Sequence, residues 1–422
     1  MFASINTFFA SQIPQKYWIG LFGGLGNISG SSVAVDGSGN TYMAGTIAPT
    51  PSFPLTYDSP ILCKYDVNGI LQWQKYLDSA GFVNAIATDA ANNVYICGTA
   101  YNGTGGGVLL VKYDTLGAIQ WQRTLDSGST DEGYSITISA SGNIYVCGTT
   151  VLNGNVSGLV AKYSTAGVLQ WQSILSATPY STLGTSFSGI AVDTSDNVYV
   201  SGSFDTTGSG DRVAVTAKYN SSGALQWQQT LNNLPSSTLL GVSVSVNSSG
   251  EPHIALSGTT FGVAKYNTSG ALQWQQKLSS GNANAIALDS SNNIYACGFN
   301  TSLDALLVKY DSLGAIQWQR SLSSSGNEVA FSVFSGTTNA VRICGRTDNT
   351  MLFAKFPTDG TPTGTYLVGS TNYTYAATAY TGSTTSFVSA AGTLTSYSGS
   401  LVDSASSYVD TTATETSSVT FI

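Results

Sequence analysis

Histidine, glutamate and charge in general are scarce in this sequence, and each scarcity closes a class of function. The chain of 422 residues has one histidine, and charged residues make up 9% of it, against about a quarter in an ordinary globular protein. A Ser/His/Asp triad therefore has a single candidate base, His253, and that residue stands at an aromatic position of a repeated strand, where packing is the expected role. Glutamate occurs only at Glu132, Glu251, Glu328 and Glu415, so general acid–base catalysis has no evident carrier. The one pair to nominate for glycoside hydrolysis is Asp131 with Glu132. The expectation is a non-enzymatic protein without cofactor or metal, since no CxxC or Cys/His cluster exists. Net charge is −8 with no basic stripe, which argues against a nucleic-acid partner. No apolar run reaches the length of a membrane span, and the opening residues lack a basic n-region and an apolar h-region, so neither a membrane segment nor a signal peptide is expected.

Five cysteines is an odd number. Cys97, Cys147, Cys297 and Cys344 all precede the glycine of a YICG-like strand, at equivalent places in different repeats. Such positions lie too far apart for a disulfide, so they read as small buried thiols.

What the chain has in abundance is repetition. The segment VKYDTLGAIQWQRTL at Val111 returns as CKYDVNGILQWQKYL at Cys63, AKYSTAGVLQWQSIL at Ala161 and AKYNSSGALQWQQTL at Ala217. Two more copies begin at Ala264 and Val308. Each reads as two short strands joined by a turn whose glycine supplies positive φ. Upstream stand a small apolar strand such as SSVAVD, an Asx-type turn, and a strand ending in glycine such as TYMAG. The turns pair Asp36, Asp89, Asp193 and Asp289 with an asparagine four residues on, which suits side-chain capping of the backbone better than calcium.

Four short strands repeated every ~50 residues are the signature of a β-propeller. The first strand, small and β-branched, suits the crowded axis. The tryptophan strand suits the wide rim, where the ring fills space between blades. The fold expected is all-β, with a propeller at residues 17–402 between an N-terminal arm, 1–16, and a Ser/Thr-rich extension, 403–422. Eight blades are expected: seven clear units plus one imitated by residues Tyr373 to Tyr397. The N-terminal Tyr17-Trp18-Ile19 strand would close the ring on that last blade. Seven blades with a C-terminal appendage is the alternative. After Lys355 the chain contains no Lys, Arg or His.

Function is expected where repetition stops. The turns between first and second strands, and between third and fourth, keep nearly constant length. The other two connections vary, and in a meander they emerge together on one face. Variable loops on a rigid scaffold are where binding usually resides. Phe53, Tyr57, Tyr101, Tyr180 and Arg212 are the contacts this nominates for a ligand. Phe2, Ile5, Phe8 and Phe9 in the arm are nominated for attachment to a larger particle.

The pattern IAVDTSDNVYVSG…AKYNSSGALQWQ resembles the SBBP-type β-propeller repeat family over residues 17–360, and more weakly over 365–402. Runs of the KYNSSGxxQWQ kind are also similar to those in virion proteins of tailed marine phages. The resemblance implies a structural or recognition role and brings no catalytic residues. Tryptophan after a glycine turn also invites comparison with quinoprotein dehydrogenases, but the uniform units nominate no metal site near the axis. The expectation is a phage virion component displayed on head or tail. Its partners would be other virion proteins and a host-surface glycan or protein, and it could self-associate as a homo-oligomer. The alternative is a cell-surface or extracellular adhesin or lectin-like module.

Overall fold

Alternating short strands and turns of fixed chemistry fold, in the computed structural model, into a closed ring of seven blades. The structure describes residues 17–368 except 23–27, 50–56, 79–80, 102–104, 153, 177–183, 206–211, 233–237, 259, 337–338, 349 and 362, together with residues 371–380 and the later strands named below. Blade 1 is the meander Ile28–Val35, Thr41–Ile47, Ser59–Tyr65 and Leu71–Asp78. Blades 2 to 6 repeat it over residues 81–126, 132–176, 185–232, 240–278 and 282–323. Blade 7 takes three strands from residues 328–357 and its fourth from Trp18–Phe22. The first strands of successive blades touch around the axis, and that of blade 7 touches that of blade 1, so the ring is closed.

The N-terminal strand therefore closes the ring as expected, but on a seventh blade. The expected eighth blade is a correction. In each unit a lysine of the third strand pairs with the tryptophan of the fourth, as in Lys64↔Trp73 and Lys309↔Trp318. Lys355↔Trp18 repeats that register and completes blade 7. The stretch Gly364–Val368, a candidate for the missing tryptophan strand, instead forms a hairpin with Thr371–Ala377 on the rim of blade 6.

The segment that imitates a further blade is spent on the edges of the others. Thr371–Ala377 adds a fifth strand to blade 6, Gly382–Thr384 to blade 5, Val388–Ala391 to blade 4 and Thr395–Ser398 to blade 3. Val402–Ala405 then caps blade 2, Val409–Thr412 blade 1, and Ser417–Phe421 lies beyond Trp18–Phe22 on blade 7. The C-terminal segment thus circles the whole rim in reverse order of the blades. Its Ser, Thr and Ala sequence gives little strand signal on its own. It becomes strand because seven unpaired sheet edges are offered to it.

Seven hydrophobic clusters fill the seven gaps between blades, and the described cysteines are buried free thiols, as expected. One contact recurs at every gap. The tryptophan of each blade lies on the turn glycine of the next, in the pairs Trp18–Gly69, Trp73–Gly117, Trp121–Gly167, Trp171–Gly223, Trp227–Gly270, Trp274–Gly314 and Trp318–Gly360. These glycines have φ between +72 and +88°, and a methyl added to any of them would meet the indole at 2.8 to 3.2 Å. Glycine is thus required twice, for the left-handed turn and for the ring above it.

Beneath the indoles of blades 1 to 6 stands the aromatic residue of the second strand, 5.9 to 6.2 Å away in the tyrosine blades, and in blade 7 Arg342 holds that position. In blades 1, 2, 4 and 6 the tyrosine hydroxyl donates to the turn aspartate, as Tyr95 to Asp89 Oδ2 at 2.9 Å. The other oxygen of Asp89 accepts from the backbone of Ala91 and Asn93, so the expected Asx turn is formed. In blade 5 His253 takes the tyrosine position, its ring 6.1 Å from Trp274. Burial, then the charge of Lys265, lowers its pKa to about 4.

Two outcomes follow for stability. Gly223→Ala and Gly154→Ala impose the same unfavourable φ, but nothing lies within 4 Å of a methyl at Gly154. Chemical denaturation should show Gly154→Ala costing about 1 kcal/mol and Gly223→Ala about 1–3 kcal/mol more. Equal losses would show that the indole contact carries no weight. For His253, the unfolded chain takes up a proton below pH 6.5 that the folded ring refuses until about pH 4. Stability should therefore fall as pH drops through that window, by at most about 3 kcal/mol from this group. His253→Tyr should flatten that part of the melting-temperature profile, and an unchanged slope would assign it to other groups.

Candidate functional site at the axial mouth

The variable face acquires its site through one irregularity repeated in all blades. The first and second strands shift register by one residue, leaving Ser31, Asn84, Tyr134, Ser188, Val242, Asn284 and Phe331 as bulges. A bulge brings the first-strand carbonyl against the second strand, where six of the seven blades place a glycine; blade 5 forms the same bulge with Leu256 opposite Gly241. A methyl on Gly98 would meet Phe82 O at 1.9 Å, and one on Gly148 would meet Glu132 O at 1.8 Å. The glycine of the YICG pattern therefore makes room for this carbonyl in the six blades that carry it. The bulged side chains are half-buried, and four of them line clefts at the mouth of the axis.

Two clefts open there. The larger, about 580 Å³, spans blades 2 to 4 and is lined by Asn84, Thr130, Glu132, Tyr134, Ser186, Ser188 and Arg212, among others. The smaller, about 350 Å³, spans blades 7, 1 and 2, with Ser31, Asp58, Phe82, Asn84, Arg346 and Asp348 in its wall. Asn84 belongs to both, so the clefts adjoin. Its amide donates to Gly133 O at 2.8 Å, which ties the bulge of blade 2 to that of blade 3. Asn284 does the same to Ala330 O across the ring.

In the larger cleft the Tyr134 hydroxyl donates to Glu132 Oε2. Burial, then this carboxylate, raises the phenol's pKa. Arg212 Nη1 donates to Ser203 Oγ at 3.2 Å. In the smaller, the Arg346 guanidinium lies 5.8 Å from the Phe331 ring centre, and the acids Asp58 and Asp348 line the same cleft. The groups presented are one or two acids, one base, hydroxyls and an amide. They are suited to holding a polar ligand by several directed hydrogen bonds. Among the described residues no three His, Cys, Asp or Glu side chains gather as a metal site would require, and no helix is long and apolar enough to cross a membrane.

Of the residues nominated from sequence, Arg212 lines the larger cleft. Tyr57 is exposed at 58%, next to the cleft residue Asp58. Tyr101 packs edge-on against the cleft residue Phe82, with ring centres 5.8 Å apart. Phe53, Tyr180 and the arm residues Phe2, Ile5, Phe8 and Phe9 lie outside the described residues. Asn84, Tyr134, Arg346 and Asp348 escaped notice. The available signal was variation at one register position of the first strand, Ser, Asn, Tyr, Ser, Val, Asn and Phe, between neighbours that, Phe187 apart, stay small or β-branched.

Asp131 and Glu132 do not form a carboxylate pair, because adjacent residues of a strand face opposite ways. Glu132 lines the cleft, whereas Asp131 is wholly buried and accepts from Ser127 N at 2.5 Å. Burial raises the Asp131 pKa, and Thr150 stands near enough to oppose the shift, yet Asp131 Oδ1 and Thr150 Oγ1 make no hydrogen bond of proper geometry. Blade 7 shows the same place properly filled. Glu328 accepts from Ser324 N at 2.8 Å, and Thr347 donates to its Oε1 at 2.9 Å.

Comparison with known proteins agrees with the propeller fold. A family profile described as a beta-propeller repeat matches residues 116–151, and one described as outer membrane protein assembly factor BamB matches 153–356. No curated protein matches the chain in sequence. Among solved structures, a puromycin hydrolase mutant is similar at a TM-score of 0.50 and 12% identity, over 78% of this chain and 52% of that one. The Dos1 propeller is similar at 0.48 and 12%, over 80% and 94%. Sqt1 of Chaetomium thermophilum is similar at 0.44 and 12%, over 78% and 95%. At such identities the likeness concerns the fold alone.

The contrast between blades 3 and 7 predicts that Asp131→Glu stabilises the protein. The longer acid should reach Thr150 and raise the unfolding free energy by about 1 kcal/mol. A lower denaturation midpoint would show that the pocket of blade 3 is too small for it.

Proposed function

We propose that this protein is a non-enzymatic binding module that takes its partner at the axial mouth of the variable face. The observation that carries this reading is the placement of both clefts on that face, sharing Asn84, where the repeats differ most. The opposite face consists of near-identical capped turns that offer one motif repeatedly. Glu132, Tyr134, Arg212, Arg346 and Asp348 are the recognition residues. Their mixture of charge, hydroxyl and amide suits a surface glycan or a polar protein segment. The setting proposed is the surface of a phage particle, head or tail, on the strength of the repeat resemblance.

Binding of the recombinant chain to host-envelope polysaccharide and to envelope protein, measured by surface plasmon resonance, tests the site. Glu132→Gln and Arg212→Ala should each weaken it at least tenfold with melting temperature unchanged. Retained affinity in both, with loss on Leu116→Ser at the opposite face, would move the site to the uniform turns. Immunogold labelling of particles and cells tests the setting. Label on virions supports it, and label on cell envelopes alone replaces it with a surface adhesin.

A further inference from the structure

We propose that the rim of this propeller is a peptide-binding surface that accepts one seven-residue unit per blade, and that its ligand is the chain's own C-terminal segment. The argument begins with register. Two residues after each tryptophan, the fourth strand pairs with the belt in the order Arg320↔Ala377, Gln276↔Thr384, Gln229↔Ala391, Ser173↔Ser398, Arg123↔Ala405, Lys75↔Thr412 and Gly20↔Val419. Each of the six steps between these seven pairings is seven residues. A strand advances about 3.3 Å per residue, so each unit spans at most ~23 Å, including its crossing to the next blade.

A side chain reads the same interval. The second glutamine of the QWQ motif is buried in blade 6, where Gln319 Nε2 donates to Tyr380 O at 2.7 Å and Tyr380 N donates to Gln319 Oε1 at 3.1 Å. A buried amide satisfied on both sides by one residue's backbone is a peptide clamp, not rim decoration. Gln275, Gln228, Gln172, Gln122 and Gln74 hold the equivalent position in blades 5 to 1. In the sequence Phe387, Leu394, Leu401, Tyr408 and Glu415 follow Tyr380 at intervals of seven, and they lie outside the described residues. Four of those five are large and apolar in a segment otherwise rich in Ser, Thr, Ala and Gly. The first glutamine of the motif, such as Gln72 or Gln120, is exposed and has no such task. The belt also returns to its start, since Ser417–Phe421 touches Gly364–Val368. An extended chain with one large residue in seven is therefore what the rim recognises, and docking it removes all seven exposed sheet edges.

Hydrogen exchange of the full-length protein, followed by mass spectrometry, tests this. Deleting residues 399 and 400 breaks the spacing between blades 3 and 2. Exchange of Val402–Ala405, Val409–Thr412 and Ser417–Phe421 should accelerate at least tenfold, with Thr371–Ala377 and the inner strands of every blade unaffected. A synthetic peptide of residues 401–422 added to this variant should restore protection, and the same peptide lacking residue 407 should not. Gln319→Leu in the intact chain should accelerate exchange of Thr371–Ala377 at least tenfold and leave the inner three strands of blade 6 unchanged. Unchanged exchange in the deletion variant would overturn spacing recognition, and unchanged exchange in Gln319→Leu would overturn the glutamine clamp. Loss of protection in the inner strands would overturn the ligand description, because the belt would then be part of the ring's core.

Discussion

The stacking of each blade's tryptophan on the next blade's turn glycine is the contact on which this ring depends. It is the one feature that joins every neighbouring pair of blades in the same way, including the pair made by the two ends of the ring. Because the indole needs a glycine beneath it and the turn needs positive φ, one residue type meets two demands. The tyrosine below and the aspartate that accepts its hydroxyl extend the contact inward to the first turn. Substitutions within the motif show how it adapts. His253 keeps the aromatic edge at the cost of a depressed pKa, and Trp18 keeps the indole although it arrives from the other end of the chain.

A second constraint, the bulge, connects the scaffold to its site. In six blades a glycine near the end of the second strand makes room for the first strand to shift by one residue, and in blade 5 the same shift occurs opposite Leu256. That shift re-aims a side chain at the axial mouth in every blade. What the site contains then depends on the residue at each bulge and on the loops around it. A uniform backbone thereby supports a non-uniform mouth, with Asn84 at the junction of two clefts and Glu132, Tyr134 and Arg212 gathered in one of them.

The rim resolves the problem that the blades themselves create. Seven four-stranded sheets have seven outer edges, each able to pair with another chain. The C-terminal belt covers them all with strands mostly of three to five residues, too short and too polar to persist unaided. With the edges occupied, the two faces are what the propeller has left to offer a partner.

Much of this was legible in the residues, and the limits follow from locality. Strand period, turn glycines, Asx caps, buried thiols and the interblade place of tryptophan are encoded within one repeat, so the sequence by itself determined the blade. It also determined which face varies, since loop length can be read along the chain. The number of blades could not be read that way. Ring closure is a contact between Trp18 and a strand more than 300 residues away, and the edge strands near Tyr373 to Tyr397 imitate a blade when seen in isolation. Belt, clefts and the separation of Asp131 from Glu132 arose only in the tertiary structure. An edge strand forms because an edge exists, and a cleft exists because three blades meet.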